Sequence, residues 1–221
     1  LAKFLFICAN EDNPDLDIQN LPEFFKHMLE RIDFTRDLHF QTKTTIDTLD
    51  YSGSKLNEGS KLVLAAAGEK ARELATSVPT LQLPDGFHSP MLVLPGVLAI
   101  SFTKFRDYNS ANKEIQEFAA ALSSQSSALN GIALITICDD SQFTAKTIDN
   151  WVWVTFTRNN PSHDVYGVNA AIENKHWGCS SPLILDSRTK THHAPPLEKD
   201  DVVERKIDRL FVKNASLGGI P

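Results

Sequence analysis

Clustered basic residues are missing from this 221-residue chain, and its formal net charge is −6. Nucleic acid and anionic membrane surfaces are held by basic patches, and no aromatic–basic interleaving marks a base-stacking platform, so neither is expected as the main partner. Long hydrophobic runs are missing too. The longest apolar stretches, such as Met91 to Val97, are far too short to span a bilayer. The N-terminus has no basic start, long apolar core and small-residue cleavage site, so nothing signals secretion and a cytoplasmic protein is expected. Cysteine is scarce: Cys8, Cys138 and Cys179 are an odd count with no Cys-x-x-Cys, which reads as reduced, buried thiols. Gly-x-Gly-x-x-Gly, Gly-Lys-Ser/Thr, His-Glu-x-x-His and Gly-x-Ser-x-Gly are all absent. The usual dinucleotide, P-loop, zinc-protease and serine-hydrolase signatures are thereby excluded.

What is present is a structural pattern that runs twice. Phe4-Leu5-Phe6-Ile7-Cys8-Ala9-Asn10 is an apolar run ending in Cys and small polar residues, and Ala133-Leu134-Ile135-Thr136-Ile137-Cys138-Asp139-Asp140 repeats it 130 positions on. A polar turn, large apolar residues and an x-Asp-apolar step follow each, at Arg36-Asp37-Leu38 and at His163-Asp164-Val165, now 127 apart. A third run, Leu62-Val63-Leu64, is matched by Leu183-Ile184-Leu185 at 121. Loop deletions produce such drift. With 42% hydrophobic and 23% charged residues, the chain can bury a sizeable core as one large α/β domain or two fused halves.

The fold expected is a layered α/β/α arrangement with a mixed, mostly parallel sheet, built from two related βαβ-like halves. Residues 1–76 would form a first copy truncated at its N-terminus, 77–96 a connector dense in Pro and Gly, and 97–221 a second, more complete copy with a C-terminal helix. The opening Leu1-Ala2-Lys3-Phe4, directly in an apparent core strand, suggests a fragment cut from a longer polypeptide. Lys3 to Ala9 reads as a buried strand. Asn20 makes an N-cap with Pro22 near the first helical position, and Leu21, Phe24, Phe25, Met28, Leu29 and Ile32 then fall at helical spacing. Leu38 to Gln41 and Lys61 to Ala66 read as strands, with Thr44 to Gly53 turn-like between them, and Gly68 to Ala75 as a short helix. Val97 to Ser101, a helix capped by Ser110, and Ile132 to Cys138 form a strand–helix–strand unit. Trp151 to Thr157 has strand-like composition, but its place opposite the helix of the first half predicts a helix. Asp201-x-x-Glu204 resembles a capping box opening a last amphipathic helix through Val203, Ile207 and Leu210.

Chemistry is thinly signalled. Ser52-x-x-Lys55 and Ser187-x-x-Lys190 have the spacing of a Ser–Lys nucleophile pair, but no companion motif stands beside them. Asp139 and Asp140, ending a parallel strand where α/β sheets bind ligands, could hold a hard cation with water; the commoner arrangement has one capping the next helix and the other solvated. Adjacent His192 and His193 point to opposite sides of an extended chain and read as loop rather than metal ligands. Trp151, Trp153 and Phe156 fit either the core or a self-association interface. Asn214-Ala215-Ser216 fits a glycosylation acceptor by chance. No catalytic, cofactor-binding or metal-binding residue is assigned.

Several segments together resemble one family. Ile137-Cys138-Asp139-Asp140, Asp149-Asn150-x-Val152-Trp153 and Thr157-Arg158-x-x-Pro161-x-x-Asp164 resemble the C-terminal region of the UbiD-type decarboxylases. Leu185-Asp186-Ser187-Arg188-Thr189-Lys190 and Pro195 to Asp200 extend the likeness, as do Ile46 to Ser52 and Gly59-Ser60-Lys61 in the first half. The resemblance implies a cytosolic, non-oxidative carboxy-lyase that uses prenylated FMN with a divalent metal and potassium, acting on aromatic or α,β-unsaturated acids in quinone biosynthesis. It implies as partners an upstream cofactor domain of the same polypeptide and further copies of the chain, as a homodimer or higher oligomer. The family's cofactor motifs and its Glu-Arg-Glu catalytic network lie upstream of the matching region, so the fragment itself is expected to hold no cofactor and to be inactive. Asn159-Asn160 and Ser162-His163 depart from the family pattern around Pro161. A stand-alone small-ligand-binding domain and a purely structural oligomerisation scaffold remain as alternatives.

Overall fold

The computed structural model describes residues 2–53, 55–194, 200–212 and 215–218. Pro195 to Lys199 of the resemblance, and Asn214 of the glycosylation match, lie outside the described residues. The first unit runs β1 (Phe4–Cys8), α1 (Leu21–Arg31), β2 (Leu38–Thr45), β3 (Glu58–Ala66). Its sheet has the order β1-β3-β2, with β1 parallel and β2 antiparallel to the central β3. The rest of the chain runs β4 (His88–Leu94), β5 (Val97–Ser101), α2 (Tyr108–Ser123), β6 (Leu134–Cys138), α3 (Ser141–Ala145), α4 (Ile148–Arg158), α5 (Pro161–Asp164), β7 (Val165–Glu173), β8 (His176–Asp186) and α6 (Asp201–Phe211). These strands form a five-stranded sheet in the order β4-β5-β6-β8-β7. Parallel pairs β5–β6 and β6–β8 occupy its centre, and antiparallel β4 and β7 its edges.

The stretch β6-α4-β7-β8 therefore repeats β1-α1-β2-β3 strand for strand. Phe4 lies opposite Leu62 and Leu134 opposite Leu183, so the offsets read from the sequence reappear as registers. Each helix is capped in the same way. The Asn20 side chain accepts from the Glu23 N–H at the start of α1, and the Thr147 hydroxyl from the Asn150 N–H at the start of α4. The helical reading of Trp151 to Thr157 holds because Trp151, Val154 and Thr155, at helical spacing, are the buried residues of α4.

One apolar core serves both units. Phe25, Met28, Leu29 and Ile32 from α1 and Leu62 and Leu64 from β3 cluster with Trp151, Leu134, Leu183 and Leu185 of the second unit. The other face of the large sheet is covered by α2, whose Ile115, Phe118 and Leu122 join Ile135, Ile137 and Ile184 in a second cluster. The two layers thus lie on opposite faces of β6. The last helix, α6, has no buried residue, and its apolar side chains Val203, Ile207 and Leu210 are exposed. Asp200, rather than Asp201, is its N-cap, accepting from the Val202 and Val203 N–H groups.

Two expectations fail for identifiable reasons. Gly68 to Ala75 is not a helix, because its backbone bonds elsewhere. The Ala71 and Arg72 N–H groups donate to the Glu30 carbonyl, which α1 leaves without an intrahelical partner, and the Ala75 N–H donates to Gly131. The Pro-rich stretch 77–96 is not only a connector, since β4 lies in it. Pro90 is tolerated there because β4 is an edge strand that need not donate on both sides.

Trp151 is fully buried, and its indole N–H donates to the Thr136 hydroxyl at 2.9 Å. Replacing Trp151 with Ala should lower the free energy of urea unfolding by about 3–5 kcal/mol; a loss under about 1 kcal/mol would show that this core does not depend on it.

Candidate functional site

After β5 the chain turns to one face of the large sheet and after β6 to the other, which opens a crevice at the strands' C-terminal ends. It measures about 470 Å³ and is lined by Lys104, Phe105, Asp139, Asp140, Arg158 and Lys190, among others. Both acidic residues there already have protein partners. The Asp140 side chain caps α3 by accepting from the Phe143 N–H at 3.0 Å. Asp139 accepts from Arg158 at 3.1 Å, from the Thr189 N–H at 2.9 Å and from the Thr189 hydroxyl at 2.8 Å. Of the two arrangements open to this pair, the cap is realised, and the second acid is ion-paired rather than merely solvated. The Arg158 guanidinium also lies over the Trp153 ring, 5.0 Å from its centroid.

Behind the crevice wall lies a buried ionic cluster. Lys190 sits between Asp164, 3.1 Å away, and Asp186, whose backbone carbonyl it also reaches. All three side chains are buried. Arg188 grips both Asp186 carboxylate oxygens, at 2.9 and 2.7 Å, and extends to Glu114 and to the Thr103 carbonyl. Burial pushes the Asp164 carboxyl up to about 6, with the Lys190 ammonium pulling against it. Burial acts on Asp186 in the same direction, but Lys190 and Arg188 together hold that carboxyl below its ordinary value. Asp164, Asp186, Arg188 and Lys190 stand in segments that carry the family resemblance, and apart from the Ser187–Lys190 spacing the sequence gives them no role. The available signal was Asp186-x-Arg188-x-Lys190, charged residues following an apolar strand without a turn residue between.

The nucleophile pairs dissolve. The Ser187 hydroxyl donates to the Thr155 carbonyl, and Lys190 serves the two aspartates. Ser52 meets Lys3 instead, at 2.7 Å, but that ammonium also donates to Asp50 and to the Thr157 carbonyl. With three acceptors for three protons, Lys3 is a clasp between the units and not a base. The His193 ring accepts at Nδ1 from the Lys190 N–H, and burial together with nearby cations pushes it down to about 3, so it stays neutral. Burial raises the Cys8 and Cys138 thiols to about 11, which leaves neither poised as a nucleophile. Among the described residues no group of three or more His, Cys, Asp or Glu side chains could hold a metal ion.

Trp151 belongs to the core and is not available to an interface, whereas Trp153 is 49% exposed beside exposed Phe143. Phe156 is half-buried against Phe4, Phe6 and Phe25. The crevice lining sets Asp139 and Asp140 beside Lys104, Arg158 and Lys190, and the Thr189 and Phe143 N–H groups there are engaged by the two carboxylates.

Asp164 supplies a pH signature. Because its folded value lies above 3.8, the ordinary one, its contribution to stability is full below about pH 4 and is lost as pH rises through about 6. Between pH 4 and 7 the wild type should lose on the order of 3 kcal/mol relative to Asp164→Asn; parallel stability profiles would contradict it. Lys190→Met should cost about 3–5 kcal/mol at pH 7.5 by leaving the buried Asp164 carboxylate without its cation, and part of that loss should return at pH 5 as Asp164 protonates. Urea titrations at each of these pH values check both.

Comparison with known proteins places this geometry. Residues 1–66, ending at the last residue of β3, match the family model of the 3-octaprenyl-4-hydroxybenzoate carboxy-lyase C-terminal domain. An uncharacterized protein of Chlamydia trachomatis is 27% identical over 207 residues, covering 94% of this chain and 33% of its own length. Another, from Chlamydia muridarum, is 28% identical over 213 residues, covering 96% and 34%. A Chlamydia pneumoniae protein whose name makes it part of a 4-hydroxybenzoate decarboxylase is 24% identical over 211 residues, covering 96% and 33%. The chain spans about a third of the length of the curated relatives it matches. The first unit is thus similar to the UbiD-family C-terminal domain, and nearly the whole chain is similar to a decarboxylase-named relative.

Proposed function

We propose that the chain is the assembly and active-site-closing part of a UbiD-like non-oxidative decarboxylase acting on aromatic or α,β-unsaturated acids in quinone biosynthesis. The parent is a cytoplasmic carboxy-lyase in which prenylated FMN, a divalent metal and potassium are held by an upstream domain, and this chain self-associates as a dimer or higher oligomer. The observation that carries this reading is the state of the crevice. Its two carboxylates are engaged in capping and ion pairing, one of its two lysines, Lys190, is locked between two aspartates, and the neighbouring histidine is neutral and bonded to the backbone. Such a site serves rigidity, while the family match and the decarboxylase named in Chlamydia pneumoniae supply the reaction class.

A second reading takes the crevice as a small-ligand site in a stand-alone domain. Its volume of about 470 Å³ at the switch point favours this, with Lys104 and Arg158 at its wall. Calorimetry with divalent metals and aromatic acids separates the two, since the assembly reading expects no tight binding by the chain alone.

Purified chain should elute as a dimer or larger, show no flavin absorbance and release no CO2 from 4-hydroxybenzoate. A bound flavin spectrum would contradict the assembly reading.

A further inference from the structure

The internal duplication assigns a counterpart to every residue of β1. Phe4, Leu5, Phe6, Ile7 and Cys8 pair with Leu62 to Ala66 as Leu134, Ile135, Thr136 and Ile137 pair with Leu183 to Asp186. One side of β1 behaves like its counterpart, since Phe4, Phe6 and Cys8 pack on the shared core. The opposite side does not. Leu5 is 47% and Ile7 44% exposed, whereas Ile135 and Ile137 are both 0% exposed, clustered with Ile115, Phe118 and Leu122 of α2. Exposed aliphatics at the two positions that the second copy covers with a helix point to a missing cover, not to a solvated surface.

The backbone tells the same story independently. The Lys3 carbonyl accepts from Leu62 and the Ala9 N–H donates to Ala66, so alternation aims the peptide groups of Phe4, Phe6 and Cys8 at the open edge of the sheet. In β6 the corresponding Leu134 N–H and Cys138 carbonyl bond to Gly96 and Phe102, at the two ends of β5. An uncovered parallel strand edge bordered by apolar side chains is an unstable way to leave a sheet in water.

We propose that β1 takes up a strand–helix segment of polypeptide from beyond these 221 residues. Its strand pairs parallel to β1 through the Phe4, Phe6 and Cys8 peptide groups, and its amphipathic helix lies over Leu5, Ile7 and Val63, as β5 and α2 do on β6. Val63 belongs to that face because it lies opposite Leu5 and carries the position of Ile184. The occupant is polypeptide of the same protein, because the relatives carry about twice as much chain outside the aligned part as within it. The inference holds whether or not the parent is a decarboxylase.

The test compares hydrogen exchange in the 221-residue chain with that in a fusion carrying a second copy of residues 97–133 directly ahead of Phe4, the spacing found before Leu134. Exchange at Phe4, Phe6 and Cys8 should be fast in the chain itself and slow by about 100-fold or more in the fusion. Leu5→Lys with Ile7→Lys should abolish that slowing. In the unfused chain the same two substitutions should leave the thermal midpoint unchanged, which keeps the test decisive should the fusion fold poorly. Unchanged exchange in the fusion, protection in the unfused chain that disappears on dilution and so reveals a second copy on that edge, or a large drop in midpoint for the unfused double variant would each overturn the proposal.

Discussion

The two units fold around one core, and the rest of the structure depends on that sharing. A βαββ unit with three strands and one helix has little apolar surface of its own to enclose; here α1 and α4 turn their apolar faces into the same cluster, with Trp151 packed edge-on against Phe25. The polar seam follows from this contact. Ser60 bonds to Asn160 and to the Ser162 N–H, and Lys3 reaches the Thr157 carbonyl at the end of α4. Each bond crosses between units at a place the shared core brings together.

Against that common frame, the copies diverge at their strand ends. In both, the aspartate before the second strand accepts from the backbone four residues earlier, Asp37 from Asp33 and Asp164 from Asn160. The first copy pairs Asp37 with Arg36, a cation at the surface, whereas the second pairs Asp164 with buried Lys190. Where the first unit has Cys8-Ala9-Asn10, the second has Cys138-Asp139-Asp140, whose acids hold α3, Arg158 and Thr189 in place. The repeated topology gives two equivalent strand-end positions, and the second unit fills its own with a fixed ionic cluster.

The elements with strong local signals were legible in the sequence. Asn20 with Pro22 announced α1, the 130-residue offset announced the matching strands, and symmetry rightly overruled the β-branched composition of α4. Elements whose partners are distant in sequence were not. Gly68 to Ala75 is extended because it bonds the Glu30 and Gly131 carbonyls, which no local pattern reveals. β4 hides in a Pro-rich stretch because an edge strand tolerates Pro90. At the site, the position of Asp139 and Asp140 was legible and the clamp around Lys190 was not, since its burial depends on Asp164 arriving from another element.

A single shared core requires that neither unit unfold without the other. Trp151, Trp153 and Trp177 all lie in the second unit, so tryptophan fluorescence reports on that unit while far-UV circular dichroism reports on the whole chain. In urea the two signals should trace one superimposable transition. A fluorescence transition separated from the dichroism transition, with a plateau between them, would contradict the shared core and make the units independent domains.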